Sequence, residues 1–236
     1  MNILIYISIL SILTLLLSSC STFRPLSGCP DGEIEWVDVV MINDIKYQHH
    51  FPDQTDGNIP LSIEKGSEIG KVTYKMADSA CSNHKTKNGD AAYLEEGTPV
   101  FKIKGYPSSF VVVANDRVFV AEENKKAKTA GELYAMDQLV KNIYIESTED
   151  GSRMHTFSQS SKDKFLDAWY QLKLEDVEKL YKEGKQEGEP VFLEIELNNG
   201  VTFRELYWAD SNTFHSGAIG NKEIKEIIDQ ELSKKK

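Results

Sequence analysis

The sequence predicts an α+β fold with two modules, a mostly-β module over residues 29–123 and an α+β module over residues 129–236. Apolar residues alternate with a period of two through most of the first module, which is typical of half-buried strands. Helical spacing begins only after the polar stretch 124–128, Asn-Lys-Lys-Ala-Lys, which therefore marks the expected boundary. Hairpin and helix patterns then alternate through the second module.

Turn-forming residues separate the strands of the first module. Asn43-Asp44 lies between the alternating segments 34–40 and 45–50 and can join them as a hairpin. Asn115-Asp116 lies between 110–113 and 117–120, and this is the strongest hairpin signal in the module. Further expected elements are strands in 69–76 and 99–104, and long loops in 53–60 and 77–90.

The second module reads as hairpin, helix, hairpin, helix. Thr129 and Glu132 have the spacing of a capping box at its start. The elements expected after this cap are a hairpin of 143–146 and 153–157, a helix capped at Ser160 or Ser161, a second helical segment in 174–184, a hairpin of 191–197 and 201–206, and a last helix capped by Asn221. Four antiparallel strands with the helices packed on one face would bury the apolar stripe of each helix.

The charge of the chain argues against a nucleic-acid partner. With 27 Lys+Arg against 37 Asp+Glu, the 236 residues carry a net charge of −10 and contain no dense basic block. Phosphate contacts by Lys and Arg supply most of the non-specific affinity for nucleic acids, and an acidic chain repels phosphate. Attachment to a membrane would therefore have to come from lipid or from apolar contact.

The first nineteen residues have the pattern of an export signal. Residues 3–17 are mostly apolar, and no charged side chain occurs before Arg24. This stretch is shorter than the roughly 20 apolar residues of a comfortable membrane span, and it leads into Ser18, Ser19 and Cys20. The alternative is an uncleaved single-span anchor in which Cys20 has no role.

The segment Leu17-Ser18-Ser19-Cys20 resembles the lipobox of bacterial lipoproteins of the Gram-positive type. The resemblance implies that the sulfur of Cys20 carries a diacylglyceryl group with fatty acids such as palmitate, and that the chain is cut before Cys20. Two acyl chains on one residue suffice for stable anchoring, at about 0.8 kcal/mol per buried CH₂. Residues 20–28 would then form a lipidated tether that holds the protein on the extracytoplasmic face of the cell membrane.

Cys29 and Cys81 remain as an even pair, which predicts a disulfide in an export compartment. The alternative is two free thiols. A third interpretation pairs Cys81 with His84 as nucleophile and base, which requires a site that lowers the pKa of the thiol.

Several segments of the first module resemble uncharacterised lipoproteins of bacilli. This resemblance brings no established activity, so no functional residue is transferred from it. The segments are Ile69-Gly70-Lys71-Val72, Gly89-Asp90-Ala91, Gly97-Thr98 and Ile103-Lys104-Gly105-Tyr106.

The common catalytic and cofactor motifs are missing from the sequence, and we expect no cofactor. There is no Gly-Lys-Ser/Thr phosphate loop, no Gly-x-Gly-x-x-Gly, no Gly-x-Ser-x-Gly, no His-Glu-x-x-His and no Cys-x-x-Cys. The adjacent His49 and His50 would point to opposite faces of a strand and could not grip one ion from there. A loop could bring in Asp53 or Asp56, but the prediction is that no metal is bound.

The loop 208–217 is the candidate ligand or partner loop, through Trp208, Asp210, Asn212 and His215. Asp210, Ser211 and His215 are also residue types that can act as orienter, nucleophile and base. A plain strand-to-helix connection collects the same turn formers and is the alternative. Elsewhere, Glu194 and Glu196 should share one face of a strand, and that face is expected to be solvated.

Export, anchoring and the lack of catalytic motifs together favour a binding or interaction module of the cell envelope over an enzyme. Its partner would be an envelope protein or ligand that the sequence does not identify. The alternative is a cell-envelope hydrolase acting on peptide or glycan. Its candidate residues are His84, Asp210, Ser211 and His215.

Overall fold

The computed structural model of the protein describes residue 29, residues 35–50 and residues 63–234. The predicted signal segment 1–19, the tether 20–28 with Cys20, and the loop 53–60 lie outside the described residues. Within the described ranges, no helix combines the length and apolar character needed to cross a membrane. Two sheets and a few helices confirm the predicted α+β class, with a mostly-β N-terminal part.

The first sheet is eight-stranded, with the order β3-β6-β7-β8-β2-β1-β5-β4. All of its neighbouring strands are antiparallel except β4 and β5, and one short helix, α1, Met76–Ser79, follows β4 directly. The strands are β1 Val39–Ile42, β2 Ile45–Gln48, β3 Lys65–Lys71, β4 Tyr74–Lys75, β5 Asp90–Ala91, β6 Pro99–Ile103, β7 Val111–Ala114 and β8 Arg117–Asn124.

Both predicted hairpin turns of the first sheet are confirmed. Asn43 and Asp44 have φ values of 53° and 66°, and Asn115 and Asp116 have 47° and 62°. Two consecutive residues with positive φ define the tight turn that matches the twist of the paired strands, and Asn and Asp tolerate this backbone best after Gly. Strand β8 extends to Asn124 and pairs with β2, so the two hairpins lie side by side in one sheet.

The second sheet is five-stranded, with the order β10-β9-β11-β12-β13. Its two hairpins are the predicted ones, and their turns contain Gly151 and Gly200 with φ values of 72° and 85°. The short β13 was not expected. The strands are β9 Val140–Glu146, β10 Arg153–Thr156, β11 Val191–Leu197, β12 Thr202–Trp208 and β13 Thr213–Phe214.

The later helices begin at recognisable caps. Thr129 and Glu132 form the predicted capping box, and the side chain of Asn221 accepts from the N–H of Ile224 at 2.9 Å. The prediction of Ser160 or Ser161 as a cap is wrong, because Ser158 takes this role and accepts from the N–H of Ser161. The helices are α2 Ala130–Leu133, α3 Gln159–Trp169, α4 Val177–Lys182 and α5 Lys222–Leu232.

The core of the second module is aromatic. Phe165 and Trp169 of α3 are fully buried, as are Ile224 and Ile228 of α5, so both predicted stripes face the core. The ring of Trp169 lies 5.0 Å from that of Phe214, between centroids. Burying large aromatic rings removes much apolar area from water and supplies a main part of the stability.

Aromatic contacts also join residues on the two sides of the predicted boundary at 124–128. The ring of Phe110 lies 5.7 Å from Tyr134 and 5.6 Å from Phe203, between centroids. All three residues belong to the larger of two compact units, which consists of Glu35–Ala80 together with His84–Lys236. Independent folding of residues 129–236 stays a prediction.

Cys29 and Cys81 are joined by a disulfide, as predicted. Their Cα atoms lie 5.0 Å apart, within the usual range for a disulfide, and 52 positions separate them in sequence. A disulfide-bonded sulfur has no thiolate to act as a nucleophile, so the interpretation of Cys81 and His84 as a catalytic pair is wrong. The side chain of His84 instead contacts Asp90, with 2.7 Å between Nε2 and Oδ2.

Candidate functional site

A cavity of about 680 Å³, which we call cavity A, lies between the end of the first hairpin and the second sheet. Its volume is within the range of small-molecule sites. One wall is formed by residues beside β1, β2 and β8, and includes Trp36, Asp38, His49, His50, Tyr93 and Arg117. The other wall is formed by β9, β11 and β12, and includes Glu146, Glu194, Thr202, Phe203 and Arg204.

Local turns position the polar groups of the first wall. The turn at Asn43-Asp44 sets a register in which Val39 faces Gln48, so the next residue on each strand, Asp38 and His49, also meet. The N–H of His49 donates to the carbonyl oxygen of Asp38 at 2.8 Å. The second turn starts β8 at Arg117, whose Nη1 donates to Oδ2 of Asp38 at 2.6 Å.

Asp38 is the main unsatisfied group of cavity A. It is 6% exposed, and its Oδ1 has no hydrogen-bond partner among the described residues. Burial raises the pKa of Asp38, and the charges of Arg117 and His49 offset this only in part. A buried acceptor without a partner is costly, so this oxygen favours a ligand that brings a donor.

The adjacent histidines contact different aromatic rings. Nδ1 of His49 donates to the carbonyl oxygen of Val118 at 2.8 Å, and its ring lies 5.5 Å from that of Phe119. The ring of His50 lies 6.2 Å from Phe203, and its Nε2 has no partner in the described part of the chain. Burial lowers the pKa of His50 to about 4, so the imidazole is neutral at pH 7.

No group of three or more His, Cys, Asp or Glu in the described ranges is placed to hold a metal ion. Asp53 and Asp56, which the sequence offered as oxygen ligands beside the two histidines, lie outside the described residues. The described residues therefore give no support for metal chemistry at His49 and His50.

The expectation that Glu194 and Glu196 lie on a solvated face is wrong. They do share one face of β11, but they are only 7% and 5% exposed. Arg153 on β10 donates to both carboxylate oxygens of Glu194, at 2.5 and 2.8 Å. Glu196 accepts from Lys141 at 2.7 Å and from the hydroxyl of Tyr144 at 2.6 Å. Neighbouring strands thus cover both carboxylates with charge-assisted hydrogen bonds.

The rim of cavity A is aromatic and partly apolar. The hydroxyl of Tyr93 donates to the carbonyl oxygen of Trp36 at 2.6 Å, which ties the segment before β1 to the segment after β5. Tyr93 is nevertheless 42% exposed, and Val37 beside it is 56% exposed. Exposed aromatic surface next to unsatisfied polar groups is typical of a ligand site.

A second cavity of about 720 Å³, cavity B, contains His215 of the candidate ligand loop together with Lys46, Glu122, Glu175 and Ser216. Nε2 of His215 lies 3.4 Å from Oε1 of Glu122. The hydrogen bond and charge of Glu122 raise the pKa of His215. Burial favours a higher pKa for Glu122, but the hydrogen bond and charge of His215 and the charges of Lys46 and His50 together outweigh it, so this pKa lies below its ordinary value.

The other residues of the loop 208–217 have different surroundings. The side chain of Asn212 donates to the carbonyl oxygen of Gly220 at 2.7 Å and accepts from the hydroxyl of Tyr207 at 2.9 Å, so it holds the loop together. The indole N–H of Trp208 donates to the carbonyl oxygen of Gly188 at 3.3 Å. Asp210 is exposed. The role of this loop in binding stays a prediction.

Among the described residues, no hydrogen bond or ion pair links the four candidate hydrolase residues to one another. The hydroxyl of Ser211 donates to the carbonyl oxygen of Lys185 and lies 2.8 Å from Oγ1 of Thr213. In the described part of the chain, no hydrogen bond or ion pair joins Asp210 or Ser211 to His215. A nucleophile and its base need such a contact, directly or through water.

Glu205 is a buried titratable group that the sequence interpretation missed. It is 1% exposed and accepts from the backbone N–H of Ser216 at 2.9 Å. Burial raises the pKa of Glu205 to about 7. The signal was present in the sequence, because Glu205 occupies an inward position between Phe203 and Tyr207 in the alternating pattern of β12.

Comparison of the chain with protein-family models, curated proteins and solved structures gives no match. No residue role is therefore transferred from another protein, and the two cavities are interpreted from their own chemistry. Cavity A joins aromatic side chains to two buried polar atoms without partners among the described residues, Oδ1 of Asp38 and Nε2 of His50. Cavity B has one such atom, Oγ of Ser216, and is lined mainly by charged side chains. The first combination is the one that small-molecule sites use, so cavity A is the candidate binding site.

Proposed function

We propose that this protein is a lipid-anchored, extracytoplasmic binding protein of the cell envelope, and that cavity A is its binding site. Binding is supported above all by Asp38, a buried carboxylate with one oxygen that has no partner among the described residues, on the wall of a 680 Å³ cavity. Anchoring is supported by the lipobox-like segment that ends at Cys20. The membrane would then be reached through lipid, which suits a chain with ten net negative charges.

The contacts of the polar side chains support binding more than hydrolysis. His215 is paired with Glu122, His84 with Asp90, and Ser211 with a backbone carbonyl oxygen. Each of these groups already has a structural partner, so the hydrolase alternative gains nothing from the geometry. The buried charged residues of cavity A, Asp38, Glu146 and Glu194, are likewise held by partners, which keeps its shape fixed and suits recognition of a ligand.

Anchoring is tested by labelling cells with radioactive palmitate. The wild-type protein should carry the label and sediment with membranes, because its Cys20 sulfur bears the acyl chains. The variant Cys20→Ala should carry no label and should either appear in the soluble fraction or accumulate as a longer precursor. Wild-type protein without label would contradict the lipid anchor.

Binding at cavity A is tested by a thermal-shift screen of the purified protein against amino acids, short peptides, polyamines and saccharides. A compound bound in cavity A should raise the melting temperature of the wild type but not that of Asp38→Asn. Asp210→Asn is the matched control, since Asp210 is exposed and does not line cavity A. If Asp210→Asn loses the shift and Asp38→Asn keeps it, the binding site lies at the loop 208–217. If no compound shifts the melting temperature of the wild type, a binding function is contradicted.

A further inference from the structure

Cavity A has a charge arrangement that does not favour a charged ligand. Its buried charged side chains already form ion pairs with one another or with a neighbouring strand. The remaining lining carboxylate, Glu35, is exposed to solvent and is therefore screened. The pairs are Asp38 with Arg117, Glu146 with Arg204, and Glu194 with Arg153.

An ammonium group or a carboxylate entering this cavity would lose its hydration shell and would lie beside both signs of charge. Because the buried charged side chains of the cavity are already paired, no free counter-ion would offset this desolvation cost. Burying a charge without a counter-ion is unfavourable. A neutral ligand avoids this cost. It can still use the lone pairs that the ion pairs leave over, since Arg117 occupies Oδ2 of Asp38 and not Oδ1.

The two buried polar atoms of cavity A that have no partner among the described residues favour a ligand with hydroxyl groups. Oδ1 of Asp38 belongs to a carboxylate that can only accept while it is ionised, so its partner must donate. Nε2 of His50 is the second buried atom without a partner among the described residues. A neutral imidazole nitrogen can accept or donate according to its tautomer, and a hydroxyl group can match either state.

Aromatic surface completes the arrangement at the rim. Tyr93 is 42% exposed, and its ring is held by the hydrogen bond from its hydroxyl to the backbone carbonyl oxygen of Trp36. The half-buried Trp36 packs against the cluster of Val39, Met76 and Ala92. Fixed aromatic faces bind flat apolar surfaces at little cost in side-chain entropy. A pyranose ring combines such an apolar face, made of C–H groups, with hydroxyl groups around its edge.

We infer that cavity A binds a neutral saccharide, with a sugar ring against Trp36 and Tyr93 and a ring hydroxyl that donates to Oδ1 of Asp38. This inference rests on the proposed binding function of cavity A and adds the chemical class of the ligand. The saccharide can be a free oligosaccharide or part of a wall glycan, since both present the same ring and hydroxyl chemistry.

The test is isothermal titration calorimetry on the full-length protein in a detergent without sugar groups. The probes are chitotetraose, cellotetraose and maltotetraose, with spermidine as a cationic comparison. Cosedimentation with purified peptidoglycan sacculi forms the second arm and separates a polymer ligand from a free one. At least one saccharide probe or the sacculi should bind.

Two tyrosine variants provide the control. Tyr93→Ala should weaken saccharide binding by about tenfold or more, because it removes an aromatic face of cavity A. Tyr181→Ala should leave binding unchanged, since Tyr181 is 69% exposed on α4 and does not line cavity A. Both changes are at exposed positions, so folding should survive even where Asp38→Asn does not fold.

Each other outcome has a definite meaning. Spermidine binding that depends on Tyr93, without any saccharide or sacculus binding, would overturn the saccharide inference and leave the binding function intact. Saccharide binding of equal strength in wild type and Tyr93→Ala would overturn the assignment to cavity A. Failure of all probes here, together with a silent thermal-shift screen, would contradict the binding function itself.

Discussion

The backbone N–H of Ser216 donates a 2.9 Å hydrogen bond to the carboxylate of Glu205, which is 1% exposed among the aromatic residues of the core. His215, Glu122 and Tyr134 are the titratable groups that act on this carboxylate. Burial dominates and raises the pKa of Glu205 to about 7. The folded protein therefore holds a proton on Glu205 that the unfolded chain releases at lower pH.

Glu205→Gln should make stability less dependent on pH. Between the ordinary Glu pKa near 4.5 and a folded pKa of about 7, the folded state binds the proton and the unfolded state does not. The stabilising effect of Glu205 is thus complete below pH 4.5 and is lost as the pH rises through 7. The neutral amide of the variant should therefore reduce the pH-dependent loss of the free energy of unfolding by up to about 3 kcal/mol.

Urea unfolding of both proteins from pH 5 to pH 8 measures this effect. The wild type should lose stability relative to Glu205→Gln as the pH rises, and the difference curve reports the titration of Glu205 together with its coupling to His215. Glu183→Gln is the control, because Glu183 is exposed. Parallel curves for wild type and Glu205→Gln would show that Glu205 keeps an ordinary pKa.

Loss of the disulfide should destabilise the protein. In a Cys20→Ala background, Cys81→Ser should lower the free energy of unfolding by about 3–4 kcal/mol, because Cys29 and Cys81 close a loop of 52 positions in the unfolded chain. Cys29→Ser should have the same effect, and the double variant should be no less stable than either single one. Thiol titration of the unreduced, unfolded background protein checks the bond directly, and two reactive thiols there would refute it.

Gly131→Ala should destabilise the protein although alanine is the better helix former. A Cβ at Gly131 in α2 would lie 2.9 Å from Cα of Tyr170, a backbone atom that can move only with its whole segment. This close approach should cost about 1–3 kcal/mol, more than the gain of about 1 kcal/mol from helix propensity. The exposed Ser160→Ala in α3 should change stability by less than about 0.5 kcal/mol. Thermal unfolding of the three proteins provides the comparison, and a more stable Gly131→Ala would contradict the close packing.

Limited proteolysis tests the predicted module boundary. Lys125, Lys126 and Lys128 are exposed, and trypsin should cut there first and leave two persistent fragments. The contacts of Phe110 with Tyr134 and Phe203 add a second expectation, that the fragments stay together on a sizing column. An isolated 129–236 segment should then unfold at a lower temperature than the whole chain. Resistance at these lysines, or uniform degradation, would count against the boundary.

Local signals predicted the hairpins well, because each depends on a few adjacent residues. Asn43-Asp44 and Asn115-Asp116 require positive φ, and the strands beside them need only alternate. Helix starts were less secure. Three serines within four residues, from Ser158 to Ser161, can all act as caps, and Ser158 is the cap because the helical backbone of α3 begins at Gln159.

The polar groups of cavity A could not be predicted in the same way. Asp38 and Arg117 are far apart in sequence and meet only because β8 pairs with β2. Glu194 is likewise covered by Arg153 from another hairpin. A single sequence contains no signal for such long-range pairs. The inward position of Glu205, in contrast, could have been predicted from the alternating pattern of β12 and was missed.

The place of β8 in the first sheet has a consequence for folding kinetics. Gln48 pairs with Val120, so the hairpin of β1 and β2 keeps an open edge until the chain has been made as far as residue 124. Such distant pairing carries a large loop-closure entropy and slows folding, and an open strand edge invites association with other chains. A nascent chain that stops short of β8 should therefore depend on chaperones, and the rate of refolding should be set by the arrival of β8 rather than by the hairpin turns.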